Sequence, residues 1–76
     1  MNKQSRRDLR LAISLLEKAG EISIMCRDKE MDSLSNLEGT SLEYTERYEK
    51  MEEASDYLDR ASDSIDEAIE FLSNAI

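Results

Sequence analysis

Residues 51–76 read MEEASDYLDRASDSIDEAIEFLSNAI. Met51, Leu58, Ile65 and Leu72 recur every seven residues, and Ala54, Ala61, Ala68 and Ala75 keep the same step three positions on. Nearly everything between the two columns is acidic or small and polar. Apolar residues at this spacing fall on one side of an α-helix. The stretch therefore predicts a long helix with an apolar arc about 140° wide and a carboxylate face behind it. The alanine column would admit a second helix close by, near the lower end of the usual range of about 8–10 Å, with Ala12 and Ala19 as matching small residues. Tyr57 and Phe71 are expected at the margin of that seam, rings packed and the tyrosine hydroxyl wet.

Upstream, the clearest break is SNLEGTS, residues 35–41, where small polar residues gather around Asn36 and Gly39. Thr40 and Glu43 fit a capping box, and Thr45 with Glu46 offers a later start for the second helix. With no proline and only two glycines, the chain reads as all-α. One domain over 1–76 is expected: a helix over about 4–33, a turn over about 35–41 and a helix over about 42–75. A short turn makes the helices an antiparallel hairpin. A turn centred near residue 38 would pair positions whose numbers add to about 76, setting Arg10 against Asp66, Arg6 against Glu70 and Lys18 near Asp59. The charge distribution agrees. Residues 1–29 carry seven basic and four acidic side chains and residues 30–76 three and fourteen, local charges of +3 and −11.

The first helix is too apolar for one partner. Leu9, Leu11, Ala12, Ile13, Leu15, Leu16, Ala19, Ile22, Ile24, Met25 and Cys26 cover an arc of about 220°. The excess around Leu11, Leu15, Ile22 and Met25 marks a dimer interface. A second copy would complete a four-helix bundle with the first helix central; the rival occupant is a heterologous target. Cys26 shares its spacing with Ala12 and Ala19 and is expected to be a buried structural residue.

Many chemistries are disfavoured. A lone cysteine forms no internal disulfide, and without histidine neither a zinc site nor a helical di-iron site can be assembled in the usual way. DSIDE lacks the spacing of a calcium loop, and no glycine-rich phosphate loop or nucleophile motif occurs. The carboxylates line a solvated face with no cleft to separate their pKa values. The expectation is a non-enzymatic protein without metal or cofactor. The polar start, MNKQSRRDLR, does not read as a signal peptide, no apolar run is long enough to span a bilayer, and the reduced cysteine suits a cytoplasmic protein. A net charge of −8 argues against direct binding to nucleic acid or anionic membranes. The basic cluster Lys3, Arg6, Arg7 and Arg10 is better explained by pairing with the second helix.

The acidic face is the remaining feature. Glu49, Glu52, Asp56, Asp59, Asp63, Asp66 and Glu70 step by three or four residues, a carboxylate about every 5–6 Å along one side of a rod. That spacing approaches the phosphate repeat of a nucleic-acid strand, so Glu52, Asp56, Asp59, Asp63, Asp66 and Glu70 form a candidate surface for a basic protein. A merely solvating face is the plainer alternative. NLEGTSLEYTERYEKMEEASDYLDRASDSIDEAIEFL, with RRDLRLAISLLEKAGEI before it, resembles small acidic helical proteins of bacteria and their phages or prophages. Asn36-Leu37, Ser41-Leu42, Glu46-Arg47, Glu49 and Met51-Glu52-Glu53-Ala54 carry the resemblance. The sequence departs from those proteins in lacking a proline, in one extra turn residue and in Tyr48 where glycine is usual. The resemblance implies a phage-type accessory protein with no catalytic role. The carboxylate spacing adds the expectation that it binds a host or defence protein through the acidic face, as an inhibitor or nucleic-acid mimic. The alternative is an assembly coiled coil whose only partner is itself.

Overall fold

The computed structural model of the chain describes residues 1–40 and 45–76. Helix α1 spans Lys3–Leu37 and α2 spans Glu46–Ala75. They pack against each other along a rod of 59 × 14 × 14 Å. The Asn2 side chain caps α1 by accepting from the Ser5 amide at 2.7 Å, satisfying a donor the helix cannot pair internally. The expected stop at 33 is overrun, and α1 ends at Leu37 in a tight turn. Glu38 is extended (φ −62°, ψ 135°), Gly39 has φ +76°, and the Thr40 amide donates to the Leu37 carbonyl at 3.2 Å. These are the features of a type II turn, whose third position requires positive φ and hence glycine.

The later start of the second helix is the one adopted. Thr45 is its N-cap and accepts from the Tyr48 amide at 3.3 Å, with Glu46 and Glu49 in the first turn, where the helix dipole favours carboxylates. Of the expected capping box, Glu43 lies outside the described residues, and the Thr40 hydroxyl donates to the Leu37 carbonyl at 2.6 Å.

The two helices meet along a strict three-four pattern. On α1 the inward positions are Leu9, Ile13, Leu16, Gly20, Ser23, Arg27, Glu30, Leu34 and Leu37. On α2 they are Tyr48, Met51, Ser55, Leu58, Ser62, Ile65, Ile69 and Leu72. The Met51/Leu58/Ile65/Leu72 column faces α1 as expected. Its companion column is Tyr48/Ser55/Ser62/Ile69; the alanines expected to admit the close approach border the seam instead, with Ala12, Ala54 and Ala68 half-buried and Ala19, Ala61 and Ala75 exposed. The seam is aliphatic near its open end and again near the turn, and between them small or polar except for Leu58. Gly20 makes the close approach at its centre: a Cβ there would lie 3.4 Å from Ile65 Cγ2.

The register also differs from expectation. Gly20 sits against Ile65, and Arg27 Nη1 lies 2.7 Å from the Asp59 carboxylate, pairs whose numbers add to 85 and 86. Because α1 continues to Leu37 and α2 starts at Glu46, the midpoint falls near residue 43. Arg27, not Lys18, therefore takes Asp59, while Lys18 lies 3.8 Å from Glu21 on its own helix. At this register Arg10 lies level with Ala75 and Arg6 beyond the end of α2, so the expected pairs with Asp66 and Glu70 do not form.

Two substitutions test this account of the hairpin. Gly39→Ala forces an L-residue into the left-handed region, where its Cβ would meet no atom of the described residues within 4 Å, and we expect a loss of about 1–2 kcal/mol in urea unfolding. The Ser55 hydroxyl is buried without a hydrogen-bond partner among the described residues. Ser55→Ala is therefore expected to raise stability by about 1 kcal/mol, with the helical circular dichroism of both variants unchanged.

Candidate interaction surfaces

In the antiparallel pair the seam separates two flanks, and the positions beside it fall on the same side in both helices. An open groove lined by Glu17, Glu21 and Ile24 of α1 together with Ile65, Asp66 and Ile69 of α2 identifies one of them. By helical periodicity Glu52, Asp59 and Asp66 stand next to the seam on this flank, with Asp56, Asp63 and Glu70 one row further out. All six are exposed. The structure thus brings the expected acidic residues onto one continuous face and extends it with Glu17, Glu21 and Asp28 of α1. Arg27 enters this face from the seam. It contacts Asp59 at 2.7 Å and Asp28 at 3.2 Å. Its hydrogen bonds to Asp59 and then Asp28 hold the guanidinium charged above its ordinary range.

The opposite flank is apolar. Ala12, Ala19 and Cys26 of α1 and Ala54, Ala61, Ala68 and Ala75 of α2 lie next to the seam there, about a quarter turn from it. Leu15 and Ile22 stand along the α1 side, Tyr57 and Phe71 along the α2 side. These four are 63%, 50%, 61% and 65% exposed. The alanines expected in the seam thus floor this second face, and the rings expected at the seam margin stand on it. Cys26 is exposed, not buried, because it lies outside the seam between α1 and α2. The proposed interface residues divide. Leu15 and Ile22 share the alanine face, whereas Leu11 and Met25, 61% and 58% exposed, project from the outer side of α1.

Among the described residues no hydrophobic side chain is buried. The basic residues Lys3, Arg6, Arg7 and Arg10 surround a shallow depression at the start of α1; Lys3, Arg7 and Arg10 continue the acidic flank by periodicity, but the register sets all four beyond the level of Asp66 and Glu70 that they were expected to face. Among the described residues no group of three or more potential metal-binding side chains occurs, and no helix is long and apolar enough to cross a membrane. Comparison with protein-family models finds no match, and comparisons with curated proteins and with solved structures find none either.

The missing signal was the division of one wide apolar arc into two faces. An arc of about 220° is the width of two neighbours set a quarter turn apart, and Tyr57 and Phe71 extend the second face onto α2. At the seam, an exposed ion pair contributes about 0–1 kcal/mol, less than a well-buried leucine. Arg27→Leu is expected to raise the urea midpoint without changing helicity; a lower midpoint would show that the contact with Asp59 outweighs aliphatic packing.

Proposed function

We propose that the chain is a non-enzymatic protein–protein interaction module that works as a self-associated helical bundle, with its acidic faces turned outward. The observation carrying this reading is the contrast between a hairpin with no buried hydrophobic side chain among its described residues and an apolar face of half- to two-thirds-exposed leucine, isoleucine, tyrosine and phenylalanine. Large exposed apolar patches mark association surfaces, and a domain this small gains its missing core most readily by pairing with itself. On this reading Leu15→Asp or Ile22→Asp converts the protein from a dimer to a monomer in sedimentation equilibrium. It also lowers the thermal midpoint by 10 °C or more. A monomeric wild-type protein at high micromolar concentration would overturn the reading.

The continuous carboxylate face favours a second role for the same assembly. Glu52, Asp56, Asp59, Asp63, Asp66 and Glu70 present charge at the spacing of a polyanion, which suits a basic groove on a host or defence protein. This agrees with the resemblance to phage-type accessory proteins. The alternative is a purely structural bundle. A triple Asp56→Lys, Asp63→Lys, Glu70→Lys variant separates the two. For a charge-reading module it keeps helicity and dimer mass but loses a basic partner that the wild type retains at physiological salt. An unchanged cellular phenotype in the variant would leave the face a solvating surface only.

A further inference from the structure

The alanine face is self-complementary, and this fixes how a second copy would meet it. Along α1 the face repeats symmetrically about Ala19. Leu15 mirrors Ile22, Ala12 mirrors Cys26, Asp8 mirrors Lys29 and Ser5 mirrors Ser33. Along α2 the order Ala54, Tyr57, Ala61, Ser64, Ala68, Phe71, Ala75 is likewise symmetric, about Ser64. An antiparallel copy of each helix therefore meets small against small, large against large and acid against base.

The two centres also lie at one height. Gly20 packs against Ile65, so Ala19 and Ser64 are separated along the rod by two residue steps, about 3 Å. One two-fold axis through that level serves both helices at once. A two-fold interface must be complementary to itself, and both helices meet that requirement about the same axis. We propose that two hairpins stack through their alanine faces about this axis, α1 on α1 and α2 on α2, each pair antiparallel and the turns at opposite ends. This deepens the self-association reading above and rests on it.

Charge and area support a second copy as the occupant. Asp8, which accepts from Gln4 of its own helix at 2.9 Å, comes opposite the partner copy's equivalent of Lys29. A two-fold axis along the rod would instead stack α1 on α2. It would set Lys29 over Tyr57 and leave that charge unpaired. The face runs from Ser5 to Ser33, about 42 Å at 1.5 Å per residue, and is two helices or about 20 Å wide. That gives about 800 Å² per copy, the size of a standard stable interface. The acidic faces then lie on opposite outer sides of the bundle, clear of each other.

Full-length variants carrying Cys26→Ser with a single new cysteine test the axis. Under mild diamide oxidation, Ala19→Cys and Ser64→Cys each should form disulfide-linked dimers at least tenfold faster than the outward-facing Ser14→Cys control. Ala12→Cys should cross-link when Cys26 is retained and not in the Cys26→Ser background. Ala19→Cys reacting only at the control rate, while Ala19→Cys/Ala68→Cys links rapidly in a protein that sediments as a dimer, would overturn this axis and leave self-association standing. A protein that sediments as a monomer would overturn both.

Discussion

Two helices lying side by side bury only the line along which they touch. Such a line is too narrow to enclose a large side chain: among the described residues only the small Gly20 and Ser62 are buried, and much else about this hairpin follows from that constraint. The seam here is further thinned by its own sequence: Gly20, Ser23, Arg27 and Glu30 of α1, with Ser55 and Ser62 of α2, occupy its middle. Aliphatic grip comes from Leu9, Ile13, Leu16, Ile65, Ile69 and Leu72 at the open end and from Leu34, Leu37 and Met51 near the turn. Between them, the 3.4 Å clearance at Gly20 and the Arg27–Asp59 contact set height and rotation. Leu58 is the one large aliphatic residue of the middle, so the centre contributes mainly register and the two ends most of the attraction.

The same rotation sorts the remaining surface. Placing Gly20 and Arg27 inward turns the alanines to one side and the carboxylates to the other. Each flank is then shared by both helices, because antiparallel packing puts equivalent heptad positions on the same side. An apolar face a quarter turn from the seam is the arrangement a four-helix bundle requires. The acidic face, a quarter turn the other way, is the one that would remain wet in it.

Much of this was legible in the sequence. The column Met51, Leu58, Ile65, Leu72 identified the inward side of α2, since only a helix brings residues seven apart into one line. The three-four stepping of Glu52 to Glu70 placed the carboxylates together for the same reason. Gly39 marked the turn because its position requires positive φ. Register was harder to read. Thr40 and Thr45 are equally good caps by residue type, and choosing between them shifts every cross-helix pair. The seam's second column was misassigned because periodicity gives the width of an apolar arc without saying which part meets which neighbour. Alanine is compatible with either side of the arc. The serines of the actual seam, Ser55 and Ser62, carry no apolar signal at all. The expectation of a buried Cys26 failed on the same ambiguity.

Under the proposed self-association, the lack of an enclosed apolar side chain among the described residues would tie this protein's fold to its abundance. When a face is covered only by association, mass action governs the folded fraction, which rises with the chain's own concentration. A hairpin held by a thin seam opens readily when alone, and open chains are what proteases cleave. Synthesis below the association threshold would then be cleared quickly, and synthesis above it would accumulate. On the proposed self-association, a seam thinned by glycine, serine and arginine would thereby give the chain a dose-dependent lifetime.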